Sequence, residues 1–252
     1  MINDCVILVH GNVATNTKQI IDRYSSLKYK VIFSTYTNED TTGIDAHIVK
    51  TDPPPIMGAA HHNGVMVTMH RGLQEAKAMG FSFALKNRSD HLFKKTDFLH
   101  IISDYVLRYP IKAPNQKYRI IVGDAGTSLE EMWGKFHVSD FWLFGNIEDL
   151  LKYFDINNGI WKASLFKSLP LIPSVEPALC QMWLQNIGAK YKDFETLLAE
   201  RFVVLDDNEL DYVIAKELFN VMDITTNWEE KTDPKTVHHY QWKEFYDAKN
   251  NI

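Results

Sequence analysis

The chain has few cysteines and no long run of apolar residues. Cys5 and Cys180 are its two cysteines, which excludes a disulfide framework and a cysteine-based zinc cluster and favours a reducing compartment. No apolar stretch approaches the roughly 20 residues that cross a bilayer, so we expect no transmembrane segment. The first residues lack the basic start and apolar core of a secretion signal. We therefore expect a soluble, cytoplasmic protein, and a peripheral membrane association stays open.

The chain also lacks basic runs and glycine-rich phosphate loops. Its formal net charge is −5, which argues against a nucleic-acid partner. Neither the G-x-G-x-x-G dinucleotide fingerprint nor the G-x4-G-K-S/T loop is present. A bound phosphate must therefore be held by side chains, by a metal or by isolated backbone groups.

What the chain does have is an alternation of short apolar runs with helical periodicities. Hydrophobic residues make up 45% of its 252 residues, enough to fill a core. Strands are predicted at 6–9, 31–36, 47–52, 81–85, 119–122, 138–145 and 202–205, and helices at 17–27, 63–79, 95–107, 146–154, 208–220 and from 176 past 183. This order predicts an α/β fold with a largely parallel sheet and ligands at the carboxyl ends of its strands. We expect one domain over residues 1–252.

The segment 81–91 begins as an apolar strand and ends in a concentration of charge. Apolar residues alternate over 81–85, and Lys86, Arg88 and Asp90 follow at the same two-residue spacing. We expect these three side chains to project from one face at the carboxyl end of the strand. Two cations and a carboxylate suit a phosphate-bearing ligand, with or without a metal. The plain alternative is a strand that runs out into a solvated turn.

Several segments occur in the order found in one known family. They are residues 31–36, Arg71-Gly72-Leu73, residues 85–90, residues 138–145, and Glu176 before a helix. Through these segments the sequence resembles, over about residues 5–190, the WavE-type lipopolysaccharide-synthesis proteins, glycosyltransferases related to the GT-A nucleotide-sugar enzymes.

The resemblance implies a GT-A-like, mostly parallel sheet flanked by helices. It implies a nucleotide-sugar-binding half at about 1–125, and an acceptor-binding half with a C-terminal tail at about 126–252. The implied activity is transfer of a sugar from a nucleotide-sugar donor to a glycan or lipid-linked glycan acceptor, in lipopolysaccharide or other cell-surface polysaccharide synthesis.

The resemblance leaves two solutions for the donor diphosphate. GT-A enzymes bind a divalent metal, Mn²⁺ or Mg²⁺, through an Asp-x-Asp motif after the fourth strand, and that position here is Arg88-Ser89-Asp90, without the first acid. In one solution Asp90 binds the metal together with a C-terminal histidine, His238 or His239. In the other, Lys86 and Arg88 neutralise the diphosphate and no metal is needed.

An inverting transfer needs a base that takes the acceptor proton. The resemblance points to Glu176 at the start of a helix, although carboxylates favour helix N-termini for electrostatic reasons alone. Asp140, which lies among aromatic residues, is the rival base. A buried carboxylate satisfied by backbone donors is the structural alternative for Asp140.

Further donor-binding residues are expected where strands end. His10 and Gly11 follow the first strand, Thr35 lies at the end of the second and Asp52 at the end of the third, where the base and ribose would rest. Arg71 is expected on the buried or phosphate-facing side of its helix, or in a structural salt bridge.

Two other functions compete with a glycosyltransferase. A sugar nucleotidyltransferase would carry a glycine-rich loop with arginine and lysine after the first strand, where this chain has His10-Gly11-Asn12-Val13. A non-catalytic nucleotide- or glycan-binding module of the same fold would explain the missing first acid of the Asp-x-Asp motif.

Overall fold

The computed structural model describes residues 4–58, 61–129, 135–157, 175–214 and 235–250. Its strands are β1 (Cys5–His10), β2 (Val31–Tyr36), β3 (His47–Thr51), β4 (Phe83–Arg88), β5 (His91–Phe93), β6 (Ile120–Gly123), β7 (Trp142–Asn146), β8 (Phe202–Leu205) and β9 (Tyr212–Ile214). Its helices are α1 (Thr17–Ser26), α2 (His62–Ala78), α3 (Phe98–Arg108), α4 (Ile147–Tyr153), α5 (Val175–Asn186), α6 (Phe194–Arg201) and α7 (His239–Asn250). A short 3-10 helix covers Asp207–Leu210.

Seven of these strands form one sheet in the order β3-β2-β1-β4-β7-β6-β8. Neighbouring strands pair in parallel except at β7, which runs antiparallel to both β4 and β6. Strand β7 therefore begins at the edge where the parallel strands end. Because of this reversal, the residues just before Trp142 lie beside the carboxyl ends of β4 and β6.

The predicted α/β fold with a mixed, mostly parallel sheet flanked by helices is confirmed. Strands β1 and β2 are buried along nearly their whole length, which is why apolar residues predominate in their sequences. The edge strand β3 is half-exposed and more polar. Strand β6 from the first half pairs with β7 and β8 from the second, and the separate roles expected for the two halves stay predictions.

The charged end of β4 differs from the expectation. Strand β4 ends at Arg88, and Asp90 lies in the turn that leads to β5. The three charged residues therefore do not continue along one strand face. Lys86 is fully buried, because β4 lies in the middle of the sheet and is covered on both sides.

Two predicted elements need correction. The helix predicted at 208–220 is wrong over its described part, where the chain forms the 3-10 helix and then β9, which pairs with β5; residues 215–220 lie outside the described residues. The strand predicted at 138–145 begins only at Trp142. Strand β5, helix α6 and helix α7 in the C-terminal tail were not predicted.

Helix α2 packs directly on β1 and β2. Gly72 permits this close approach, because a Cβ at that position would lie 2.4 Å from Leu8 Cδ1 and 3.1 Å from Ser34 Cβ. The N-terminal turns of α2 consequently reach the carboxyl edge of the sheet.

Candidate functional site at the carboxyl edge of the sheet

A cavity of about 350 Å³ opens at the carboxyl ends of β1, β2 and β4, beside the first turns of α2. The residues lining it are His10, Gly11, Asn12, Ala14, Tyr36, Met57, His61, Gly64, Val65, Thr68, Arg88, Ser89, Asp90 and Asp140. Five of the residues singled out in the sequence, His10, Gly11, Arg88, Asp90 and Asp140, therefore meet around one cavity. Its position is where open α/β sheets bind their ligands.

His10 at the end of β1 is nearly fully buried. The Thr68 hydroxyl donates to the Gly64 carbonyl at 2.9 Å, so it accepts from Nδ1 of His10, 3.2 Å away. Burial lowers the pKa of His10 well below its ordinary value, and Lys86 and Arg88 lower it further. His10 is thus a neutral imidazole, and its Nε2 has no partner within the described ranges.

The loops after β1 and β4 are tied together at the cavity. Gly11 has a φ of +114°, a left-handed conformation that favours glycine, and a Cβ there would lie 3.3 Å from Ser89 Oγ. The Ser89 hydroxyl in turn donates to the Asn12 carbonyl at 2.6 Å.

Arg88 and Asp90 form a bidentate ion pair on the cavity wall. Nε of Arg88 donates to Oδ1 of Asp90 at 3.0 Å, and Nη2 donates to Oδ2 at 3.1 Å. Burial disfavours ionisation of Asp90, but the bonds from Arg88 outweigh it and lower the pKa of Asp90. Both oxygens of the carboxylate expected to bind metal are therefore engaged by a guanidinium.

Lys86 and Asp140 form a second, enclosed pair. Nζ of Lys86 lies 3.4 Å from Oδ2 of Asp140, with 0% and 5% of the two side chains exposed. Burial lowers the pKa of Lys86, and Asp140 partly offsets this; burial opposes ionisation of Asp140, but Lys86 and Arg88 outweigh it and lower its pKa. Asp140 lines the cavity and Lys86 does not. Lys86 therefore acts on the cavity through its ion pair with Asp140.

A separate cluster lies at the ends of β6 and β8. Asp124 directly follows β6, Asp206 directly follows β8, and His238 directly precedes α7. Nδ1 of His238 lies 2.8 Å from Oδ2 of Asp124 and 3.6 Å from Oδ1 of Asp206. Within the described ranges, this is the one group of three acidic, histidine or cysteine side chains whose ligand atoms come close enough to share a metal ion.

That group separates the metal ligands expected from the sequence. It contains His238 but neither Asp90 nor His239. His239 donates from Nδ1 to the Val204 carbonyl at 2.7 Å, and its ring stacks on Trp242 with centroids 5.5 Å apart. His239 therefore has a structural role at the start of α7.

Backbone amides orient the two carboxylates of the cluster. The amides of Ala125 and Asp207 donate to Oδ1 of Asp124 at 2.9 and 2.8 Å, and the amide of His239 donates to Oδ1 of Asp206 at 2.9 Å. Burial and the neighbouring Asp124 raise the pKa of Asp207 well above its ordinary value. Burial and the nearby Asp124 carboxylate thus both disfavour the charged form of Asp207, which lies directly behind the cluster.

Glu176 lies in the first turn of α5, where Oε2 is 3.8 Å from Nε2 of His137. Nδ1 of His137 donates to the Gly126 carbonyl at 2.6 Å, which fixes the ring. The side chains of His137 and Glu176 are 12% and 17% exposed. Glu176 does not line the cavity.

Besides Lys86, three expected donor-binding residues lie away from the cavity wall. Thr35 is fully buried in β2, and Asp52 is exposed and accepts from the Thr37 hydroxyl at 2.9 Å. Arg71 lies on the exposed face of α2 and donates to Gln74 at 3.1 Å, which corrects its expected buried or phosphate-facing position.

Sequence reasoning missed several residues of the cavity and of the Asp124–Asp206–His238 cluster. His61, Tyr36 and Thr68 line the cavity. Asp124 and Asp206 follow two correctly predicted strands, so the strand-end rule that selected His10 and Asp52 would also have selected them. His137 carried no such signal, because its contact with Glu176 is set by tertiary packing.

The fold and the cavity define an α/β protein with a ligand-sized site, lined in part by charged side chains, at the carboxyl ends of its strands. The family model described as WavE lipopolysaccharide synthesis matches residues 17–250, and the chain belongs to this family. The resemblance noted in the sequence is thereby confirmed.

Solved structures with a similar fold are distant. A glycosyltransferase involved in the glycosylation of the major capsid of PBCV-1 is 14% identical, with a TM-score of 0.47 over 97% of this chain and 98% of its own. Glucosyl-3-phosphoglycerate synthase from Mycobacterium tuberculosis, in complex with Mn²⁺, UDP-glucose and phosphoglyceric acid, is 12% identical, with a TM-score of 0.42 over 75% of this chain and 81% of its own. No curated protein matches the chain. Within the described ranges, no helix has the length and apolar character to span a membrane.

Proposed function

We propose that this protein is a nucleotide-sugar-dependent glycosyltransferase that adds a sugar to a glycan or lipid-linked glycan during lipopolysaccharide-type polysaccharide synthesis. The observation that carries the proposal is the cavity at the carboxyl ends of β1, β2 and β4, where a guanidinium, two carboxylates and a neutral imidazole meet. Membership of the lipopolysaccharide-synthesis family supports the same reaction class.

In this proposal Arg88 binds the donor diphosphate. Its guanidinium lines the cavity and is held in place by Asp90. A planar guanidinium matches phosphate oxygens in a bidentate way and stays charged as the leaving group develops negative charge. His10 and Gly11 would contact the base or ribose, with Nε2 of His10 as a hydrogen-bond acceptor. Contacts of Thr35 with the donor stay a prediction, as do those of Asp52 and Arg71.

Glu176 is the better candidate for the base in an inverting transfer. A base works best when its pKa lies near the working pH. The lowered pKa of Asp140, with its carboxylate bound to Lys86, makes it a weak base. We assign Asp140 to the orientation of Lys86 and of the cavity wall, and Glu176, beside His137, to the acceptor proton.

The residues at the Asp-x-Asp position fit a metal poorly. Asp90 is engaged by Arg88 through both oxygens, and no second carboxylate joins it in a metal-binding group within the described ranges. Asp124, Asp206 and His238 fit Mn²⁺ or Mg²⁺ better, since they combine two carboxylates with an imidazole. A cation held there would supply positive charge to a developing negative charge.

The cluster of Asp124, Asp206 and His238 lies on the far side of β7 from Arg88. Strands β4 and β6 are separated only by β7, and neighbouring strands lie about 4.8 Å apart. A cation at Asp124 would thus lie roughly 10 Å across the sheet from Arg88. We propose that Arg88 neutralises the diphosphate and that the cation acts on the acceptor side.

The proposal is tested first by thermal unfolding with UDP, GDP, CMP and their sugars, each with and without Mn²⁺. A ligand that binds the native state raises the unfolding temperature. We expect one nucleotide class to do so and Arg88→Gln to weaken its binding roughly ten- to hundredfold, the effect of losing a charged hydrogen bond. Arg108→Gln is the matched control, because Arg108 is exposed and does not line the cavity. No shift with any nucleotide from folded protein would overturn the proposal.

One observation favours a second function, a non-catalytic binding module: the first acid of the Asp-x-Asp motif is replaced by Arg88, which closes on Asp90. Donor hydrolysis separates the two functions. Turnover that Glu176→Gln abolishes, while the nucleotide-induced shift in unfolding temperature remains, supports the transferase. Nucleotide binding without any turnover supports the module.

A further inference from the structure

A second cavity of about 350 Å³ lies at the opposite edge of the sheet. Arg119 lines it and directly precedes β6, so it stands at the amino end of that strand, whereas the donor cavity lies at carboxyl ends. Lys112 and Lys249 also line it, and Glu200 is the one acidic residue among the lining residues. Three cations against one carboxylate give the wall a formal charge of +2.

The guanidinium of Arg119 is buried without a counter-ion. The residue is 3% exposed, donates from Nη1 to the Ala199 carbonyl and packs over the ring of Tyr246, with Cζ 5.0 Å from the ring centroid. Its Nε is buried and has no acceptor, and no carboxylate pairs with it, in the part of the chain that the structure describes. Arginine is rarely buried to this degree unless it is paired.

Arg201, which is equally buried, offers a comparison, because the hydrogen bonds of its guanidinium go to several acceptors within the protein. Arg201 is 2% exposed and donates to the Tyr191 hydroxyl at 2.8 Å, to the Pro114 carbonyl at 2.8 Å and to Oε1 of Gln116 at 3.3 Å. Arg119 has one such bond. The difference marks Arg119 as a cation with donor capacity left over.

Glu200, the acid on the cavity wall, does not serve as the counter-ion of Arg119. Glu200 accepts from Lys249 at 2.9 Å and from the Tyr191 hydroxyl at 2.8 Å. Lys112 donates to the amide oxygen of Asn250 at 2.9 Å and keeps its charge exposed at the mouth of the cavity. An incoming oxyanion would therefore meet a buried guanidinium at the wall and two ammonium groups at the rim.

We propose that this cavity binds a phosphate group, either free or carried on a larger molecule such as a lipid headgroup. A phosphate offers two negative charges against the +2 of the wall, and its oxygens match the N–H groups of a guanidinium. The site is separate from the donor cavity and does not depend on the proposed transferase activity.

The first test is titration calorimetry with inorganic phosphate at constant ionic strength, on the wild-type protein and on Arg88→Gln. The latter variant weakens phosphate binding in the donor cavity and leaves the second cavity intact. We expect Arg88→Gln to retain one saturable phosphate site, and Arg119→Gln in that background to weaken it about tenfold or more.

Arg119→Gln alters a buried residue, so an exposed variant accompanies it. Lys112→Glu in the Arg88→Gln background reverses a charge at the cavity rim and is expected to weaken phosphate binding severalfold. Lys30→Glu is the matched control, since Lys30 is exposed on β2's amino side and outside the cavity. Absence of a saturable site in Arg88→Gln, or equal affinity in Lys112→Glu and Lys30→Glu, would overturn the proposal.

Sedimentation with vesicles distinguishes the source of the phosphate. Binding to phosphatidic acid vesicles but not to phosphatidylcholine vesicles, lost in Lys112→Glu and retained in Lys30→Glu, assigns the site to a lipid headgroup. Binding of inorganic phosphate without vesicle binding assigns it to a soluble phosphate.

Discussion

The enclosed Lys86–Asp140 pair allows a quantitative test of how the site is held. Asp140→Ala leaves the ammonium of Lys86 fully buried and without its carboxylate. Removal of one partner from a buried ion pair costs about 3–5 kcal/mol of unfolding free energy. Arg88 is a second cation acting on Lys86, so we expect a loss toward the upper end of that range.

The loss should also depend on pH. Burial lowers the pKa of Lys86 below 10.5 and Asp140 is the main opposing influence, so in Asp140→Ala that pKa falls further. At a pH between the pKa of Lys86 in the native state and its pKa in the unfolded chain, the unfolded chain holds a proton that the native state has lost. The unfolding free energy therefore rises with pH in this range. Ionisation of Asp140 itself adds no pH dependence to the unfolding free energy at neutral and alkaline pH, because the pKa of Asp140 is lowered below 3.8. We therefore expect the deficit to shrink as the pH rises from neutral toward 10.5.

Urea unfolding at neutral and at alkaline pH measures both effects. Asp22→Ala is the matched control, because the Lys18–Asp22 pair is shorter, at 2.5 Å, but roughly half-exposed, and an exposed pair contributes about 0–1 kcal/mol. The double variant Lys86→Met/Asp140→Leu should recover most of the lost stability, since no buried charge remains. A deficit for Asp140→Ala no larger than that of Asp22→Ala, and independent of pH, would refute the reasoning.

Three further outcomes are expected. Gly72→Ala should destabilise the protein by about 1–3 kcal/mol in urea unfolding, because its Cβ would lie 2.4 Å from Leu8 Cδ1; a neutral effect would contradict the close packing of α2 on β1. His238→Gln should abolish binding of Mn²⁺, followed by its electron paramagnetic resonance signal, whereas Asp90→Asn should retain it; the reverse result would return the metal to the Asp-x-Asp position. Burial raises the pKa of Cys180 well above its ordinary value, so this thiol should react with a disulfide reagent only after denaturation; rapid modification of Cys180 in native protein, located by mass spectrometry, would contradict its burial.

Local sequence predicted the central strands well. Strands β2 and β8 were predicted with their observed bounds, and the apolar runs that form β1 and β6 were recognised, because strands buried on both faces are rich in consecutive apolar residues. The same reasoning failed for β9, which has three residues and depends on pairing with the distant β5. The local sequence does not reveal a pairing between strands that are distant in the chain, so the polar segment after Leu205 was interpreted as a helix.

The sequence by itself determined the α/β alternation, the carboxyl ends of several central strands and the concentration of charge at the end of β4. These features depend on hydrophobic periodicity and on residues that are neighbours in the chain. It also placed His10, Arg88 and Asp90 where a ligand site would form, since parallel strands end at one edge of the sheet.

Only the tertiary structure decided which charges meet. The reversed direction of β7 brings Asp140 to Lys86 across 54 positions of sequence, and the meeting of β6, β8 and α7 brings His238 to Asp124 across 114. The same packing encloses Lys86 and leaves the guanidinium of Arg119 buried without a carboxylate. These outcomes depend on which strands become neighbours and on what each helix covers, and no local pattern of residue types carries that information.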